Sequence, residues 1–184
     1  KVEDVKKAET KTGATAPAAT RTLKLDKSTS SVGFDGAKLT GDHKGSFGEI
    51  EGDATLAGDT ITALRVTVQT ASVTSDAEDL TGHLKSPDFF DVEKFPTAVF
   101  AADEFVAKTG DNGVTHEIGG TLELHGVKKA IRFPAKVAVD AGGAQGQAEF
   151  TINRKDFKIE YPGKPDDLIK DEVLLKLDLK FTSG

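Results

Sequence analysis

The chain has 184 residues, enough for one sizeable core and crowded for two, and a single β-barrel of this length is routine. Its net charge of −6 and pI near 5.3, with lysines dispersed among acids, argue against a nucleic-acid partner, which requires a basic face to neutralise phosphates. With no cysteine there is no disulfide framework, thiol nucleophile or cysteine zinc site, and no apolar run approaches the roughly 20 residues of a membrane helix.

Residues 1–20 are rich in Lys, Glu, Thr, Ala and Gly, carry Pro17 and have almost no large apolar side chain. They cannot bury enough surface to order themselves and are expected to form a flexible tether, with residues 21–184 as the folded domain. The chain lacks methionine and begins at Lys1, so it is expected to be a product from which a leading segment has been removed, the tether then acting as a spacer behind a signal or lipid anchor.

From Leu23 onward apolar and polar residues alternate with period two, predicting strands over 31–38, 44–56, 60–70, 97–108, 114–124 and 145–153. Ile131, Phe133, Ala135, Val137 and Val139 share one face of a further strand, and Val173, Leu175, Leu177, Leu179 and Phe181 one face of the last. Ala57-Gly58-Asp59, Gly110-Asp111-Asn112-Gly113 and Ala141-Gly142-Gly143 supply turn residues, so neighbouring strands run antiparallel. About eight strands, each apolar on one face, can close into a barrel or stack as a sandwich, and periodicity alone does not choose. Gly45, Gly48 and Gly52 favour the strong strand bending of a barrel.

One segment breaks the alternation. Ser75-Asp76-Ala77-Glu78 offers a helix start in which a Ser or Asp oxygen caps free N–H groups. Leu80, His83 and Leu84 follow at helical spacing, and Pro87 disfavours helical geometry at Ser86. Phe89 and Phe90 come next, before Pro96 opens another strand. A short helix followed by an aromatic plug is the arrangement expected of a cap on the end of a β structure.

The segment His83-Leu84-Lys85-Ser86-Pro87-Asp88-Phe89-Phe90-Asp91, continued by Phe95-Pro96-Thr97-Ala98-Val99-Phe100, resembles the YceI-like family of extracytoplasmic, lipocalin-like proteins that bind polyisoprenoids and related lipids. Ser30-Ser31-Val32-Gly33-Phe34, Gly41-Asp42-His43-Lys44-Gly45-Ser46-Phe47, Gly120-Thr121-Leu122-Glu123-Leu124-His125-Gly126-Val127-Lys128-Lys129, Ile152-Asn153-Arg154-Lys155-Asp156-Phe157 and Asp171-Glu172-Val173 are similar to other signatures of that family. Together they span residues 22–182; Lys38, where many members carry His, and the full loop Tyr161-Pro162-Gly163-Lys164-Pro165 depart from the pattern. The resemblance implies an all-β, lipocalin-like antiparallel barrel of about eight strands with one short helical insertion capping an end. It further implies an elongated cavity lined by Phe34, Phe47, Val66, Val68, Phe100, Ile118, Leu122, Phe133, Phe150 and Ile152, and covered by Leu84, Phe89 and Phe90.

Chemistry-bearing residues are sparse outside that interior. His43, His83, His116 and His125 fall in four different segments without metal-ligand spacing, and no metal is expected. Asp166-Asp167 and Asp171-Glu172 read as solvated turn acids; no nucleophile elbow or phosphate loop is present, so enzymatic activity has no support. The expected function is non-enzymatic binding of a long-chain amphiphile (polyisoprenoid, isoprenoid quinone or similar) for carriage, storage or sequestration in the periplasm or wider cell envelope. His83, Lys85 and Arg154 are the headgroup candidates. No cofactor other than such a lipid is expected, and the state is monomer or homodimer, with peripheral membrane association through a removed anchor. The alternative is an envelope interaction domain whose barrel is filled by its own side chains.

Overall fold

The computed structural model describes residues 19–183, so residues 1–18 of the expected tether lie outside the described residues. The strands are β1 (Thr20–Leu25), β2 (Ser31–Lys38), β3 (Gly41–Phe47), β4 (Ile50–Ala57), β5 (Thr60–Gln69), β6 (Val73–Ser75), β7 (Thr97–Ala107), β8 (His116–Leu124), β9 (Val127–Asp140), β10 (Gly143–Asn153), β11 (Gly163–Lys164) and β12 (Asp167–Thr182). Among the described residues the one α-helix, α1 (Glu78–Lys85), follows β6.

Eight antiparallel strands in the order β1-β4-β5-β7-β8-β9-β10-β12 form a barrel, closed where Lys24 pairs with Thr182 and Leu25 with Phe181. Strand β2 pairs with β12, β3 with β2 and β6 with β3, so β2, β3 and β6 extend the wall laid down by β1, β4 and β5. The barrel is thereby taller on one side, and α1 with residues 86–96 fills the space at that end.

Alternation dictates which face goes in. On β10, Ala144, Gly146, Ala148, Phe150 and Ile152 point inward and register against Phe181, Leu179, Leu177, Leu175 and Val173 of β12. Gln145, Gln147, Glu149 and Thr151 lie on the exposed face. The apolar side chains gather in one group around Leu23, Leu56 and Phe181, a second around Phe100, Ile118 and Phe133, a third beneath α1 around Val73, Leu84, Phe89 and Ile159, and a fourth around Ile50, Val68 and Ala98.

Local departures from the expected elements have local causes. Thr20 begins β1 rather than ending a tether, because residues 20–24 complete the ladder to residues 53–57 of β4. The strand expected over 44–56 is divided at Gly48-Glu49, where Gly48 N–H donates to Ser72 O (3.1 Å), so one of the three bending glycines marks the break. Ala77 is the residue preceding α1, and it makes no side-chain cap. The Asp76 carboxylate instead accepts from the Lys44 N–H (3.0 Å) and meets His43 Nδ1 (2.8 Å), tying the lid to β3. The expected cap is therefore replaced by a long-range tie, which also holds the Asp76 carboxyl below its ordinary range, through the Lys44 amide first and His43 second. Helix α1 does end at Lys85, with Ser86 extended ahead of Pro87.

Candidate functional site

An elongated cavity of about 220 Å³ runs inside the barrel. On β10 its lining extends from Ala144 to Ile152, roughly 26 Å of strand at about 3.3 Å per residue. Phe34, Phe47, Val66, Val68, Leu84, Phe89, Phe90, Phe100, Ile118, Leu122, Phe133, Phe150 and Ile152 all border it. Their common orientation follows from strand alternation and, for the last turn of α1 and the segment after it, from the chain doubling back over the barrel mouth.

That doubling-back is set by backbone geometry. Phe90 N–H donates to Leu84 O (2.9 Å) and Val92 N–H to Lys85 O (3.1 Å), with Asp91 at φ 49° making the turn. Phe89 and Phe90 thereby face the barrel. Phe90 meets Phe34 and Phe47 edge-on, with ring centroids 5.9 and 5.5 Å away, and Phe89 packs on Tyr161. A second aromatic layer lies deeper, where Phe133 stacks on Phe150 at 4.1 Å and touches Phe100 at 5.4 Å. Thr70 and His125 seat the end of the lid: Thr70 Oγ1 donates to Phe95 O (2.7 Å), and the Phe95 ring lies on His125 and over Gly126. Gly126 (φ 76°) has no room for a Cβ against that ring.

Small residues keep the cavity open. Gly36 and Gly146 face it, and a Cβ built on Gly36 meets nothing within 4 Å, while one on Gly146 meets only Lys136 O at 3.9 Å. Ala54, Ala98, Ala135, Ala144 and Ala148 share the lining. The sequence placed Ala135 on an apolar face but the other positions were missed, although all occupy inward phases of the alternation and small residues at inward phases are the signal that would have found them.

The three polar candidates separate. Arg154 borders the cavity and is 4% exposed; its Nε donates to Lys170 O (3.0 Å), Nη1 to Ile159 O (2.8 Å) and Nη2 to Ile169 O (3.3 Å). Burial lowers the Arg154 pKa, opposed in part by Asp171 at 4.0 Å. Its donors thus pin three backbone carbonyls. His83 and Lys85 do not border the cavity: His83 Nε2 lies 2.9 Å from Asp88 Oδ2 with its ring edge-on to Phe89 and Tyr161, and Lys85 is exposed. Both belong to the outer side of the lid.

The loop and lysine that depart from the family pattern meet at one clasp. Asp167 accepts from the Thr40 N–H (3.0 Å) and Thr40 Oγ1 (2.8 Å) and pairs with Lys38 Nζ (3.3 Å), joining the β2–β3 and β11–β12 hairpins. Burial would raise this carboxyl, but the Thr40 and Lys38 contacts outweigh it and hold the pKa low. Asp167 is therefore a structural tie rather than a free turn acid. Among the described residues no group of three His, Asp or Glu side chains lies close enough to hold a metal ion.

An eight-stranded antiparallel barrel that encloses an apolar cavity beneath a helical lid defines a lipocalin-like architecture. Residues 23–181 match the YceI-like domain, and the chain belongs to that family. It is 36% identical to a UPF0312 protein of Pectobacterium atrosepticum over 125 residues, and 34% identical to one of Pseudomonas putida over 127 residues. These matches span 62% and 65% of the chain and the same shares of the relatives. Two solved structures share the fold. BcnA of Burkholderia cenocepacia has a TM-score of 0.73 at 19% identity over 85% of this chain and 98% of that one. A polyisoprenoid binding domain from Saccharophagus degradans has a TM-score of 0.68 at 17% identity over 88% and 98%.

Proposed function

We propose that this protein binds a long-chain amphiphilic lipid, such as a polyisoprenoid or isoprenoid quinone, non-enzymatically inside the barrel, for carriage, storage or sequestration in the cell envelope. The observation that carries the reading is the cavity itself: continuous, about 220 Å³, and bordered by apolar side chains along the barrel. Interiors normally close to crystal-like density, and a core filled by its own side chains would not keep Gly36 and Gly146 facing open space. The polyisoprenoid binding ascribed to the Saccharophagus degradans domain supports the choice of ligand class. Each methylene moved out of water contributes about 0.8 kcal/mol, so a long tail binds with little polar recognition.

Placement in the cell envelope, as periplasmic or secreted protein, follows from the family resemblance and is part of the proposal. The test is organic extraction of the purified protein followed by mass spectrometry, with rebinding of the extracted species. A long-chain lipid at near one equivalent is expected; recovery of none, together with failure to bind any long-chain probe, would sink the reading.

A further inference from the structure

The β5–β7 ladder stops early. It runs from Gln69–Thr97 to Leu64–Ala102, leaving Thr60–Ala63 of β5 and Asp103–Ala107 of β7 without partners in each other. A register shift flanks each side of this parting, one between Thr55 and Leu56 in β4–β5 and one between Ala102 and Glu104 in β7–β8. Bulges add twist and turn strand ends apart. The wall is therefore split at the end of the barrel opposite α1.

A second hollow of about 280 Å³ occupies the split, bordered by Asp59, Thr60, Ile61, Phe105, His116, Val137 and Val139. Ile61, Phe105 and Val137, all half-buried, also border the main cavity, so they stand between the two spaces. His116 is the first residue of β8 and registers with Ala135, in the inward phase shared with Ile118 and Leu122.

The hydrogen bonds around His116 favour one tautomer. Thr115 Oγ1 accepts from the Val137 N–H (2.9 Å), and its own hydrogen finds its nearest acceptor in His116 Nδ1 at 2.7 Å, ahead of the Val137 and Ala135 carbonyls at 3.4 and 3.5 Å. An Nδ1 that accepts leaves the hydrogen of the neutral ring on Nε2, which has no partner among the described residues. In that tautomer the Nε2–H stands as a donor in the rim of an apolar tube. The residues bordering the hollow include no lysine or arginine, and Asp59 is the one carboxylate among them.

We propose that this split is the lipid portal and polar end of the site, where His116 Nε2–H donates to a neutral oxygen, a hydroxyl or carbonyl, at the end of a tail that runs up toward the lid. The proposal rests on the barrel-binding reading above and selects within it a long-chain alcohol or quinone-like carbonyl over a diphosphate, which would meet Asp59 and no cation. Arg154, the cation that borders the cavity, lies under the lid with its three nitrogens bonded to backbone carbonyls.

The absence of cysteine makes site-specific labelling direct. Thr60→Cys at the rim and Asp79→Cys on the exposed side of α1 are each labelled with a bulky maleimide, and uptake of the apolar dye 1-N-phenylnaphthylamine is followed with farnesol and farnesyl diphosphate as competitors. The rim label is expected to slow uptake about tenfold or more and the lid label less than about twofold. In unlabelled protein farnesol should compete better than its diphosphate, and His116→Leu should weaken farnesol about fivefold, the effect of one neutral hydrogen bond, while leaving dye affinity unchanged. Slowing by the lid label alone overturns the portal, and a diphosphate that outcompetes farnesol, or an unaltered farnesol affinity in His116→Leu, overturns the headgroup assignment. Each of these leaves barrel binding standing, whereas failure of the unlabelled protein to bind dye or farnesol overturns both readings.

Discussion

Replacing Gly146 with leucine separates a cavity held for a ligand from a core that is merely loosely packed. Gly146 lies mid-strand on β10 opposite Leu179, its backbone is outside the left-handed region, and a Cβ there meets only Lys136 O at 3.9 Å. The four added carbons enter space already present in a cavity of about 220 Å³. At about 0.8 kcal/mol per carbon group their burial sets a ceiling near 3 kcal/mol of added stability. Loss of glycine's freedom in the unfolded chain adds about 0.4–1 kcal/mol, and incomplete fit subtracts, so a net gain of about 1–3 kcal/mol is expected. For a domain of this size that is a rise in Tm of roughly 2–10 °C. The same side chain occupies the path of a lipid tail, so binding of a long-chain probe should fall at least about tenfold. Urea denaturation and fluorescent-dye titration of wild type and G146L measure both quantities. The reasoning requires opposite signs: a variant destabilised by about 1 kcal/mol or more, as overpacking produces, or one that binds lipid normally, refutes it.

Three further outcomes follow from the lid end of the barrel. Arg154→Met should cost about 3–5 kcal/mol, because three carbonyls lose buried charged donors, and Arg154→Lys should recover only part of it; denaturant midpoints report both. Phe89→Ala, truncating a side chain 8% exposed, should cost about 3 kcal/mol in the same assay, with hydrogen exchange faster across 78–92 than in β9 and β10. Asp76 and Asp167 both have folded-state pKa values lowered from 3.8, so each supports the fold above that value and the support is lost as pH falls through the lower folded value. Exchange at 39–44, 75–80 and 163–169 should therefore rise below about pH 3.8 before that of β8–β10, and no such early rise should occur at the 163–169 clasp in Asp167→Asn, where it is already loosened at neutral pH.

Period-two alternation told the inside of this barrel from its outside, because a strand offers a side chain only two directions. Phe100, Phe133 and Phe150 could be assigned inward from spacing alone, and the sequence of Ser86 and Pro87 ended α1 where it ends. Bulges defeat the same rule. On β7 the inward phase runs Ala98, Phe100, Ala102, and the register shift before Glu104 moves it to Phe105, so counting from Phe100 sends Phe105 the wrong way. Which residues meet at each end depends on pairing between distant strands, and this is why Asp76 reads locally as a cap yet binds Lys44, 32 residues away. His83 drew attention through its motif, while His116, in a stretch with no distinctive wording, is the histidine that stands beside the hollow.

The two ends of the barrel differ in what opening them costs. Lifting the lid exposes Leu84 and Phe89, at about 1.5–3 kcal/mol each, breaks the Thr70–Phe95 bond, worth about 0.5–1.5 kcal/mol, and releases the exposed Asp76 ties to His43 and Lys44. Together the burial and the Thr70 bond amount to about 3.5–7.5 kcal/mol, which leaves the lifted state at about one part in a few hundred or less. At the split the β5–β7 ladder has already ended, so widening it breaks no β5–β7 strand bond. Passage there requires Ile61 and Phe105 to move aside, a side-chain rearrangement of about 0.5–1.5 kcal/mol per displaced torsion. At the middle of these ranges the wall therefore opens more readily than the cap by at least about an order of magnitude. On the portal proposal the aromatic lid is then the fixed floor against which a tail would pack, and exchange would be governed by the short stretch where two bulged strands fail to meet.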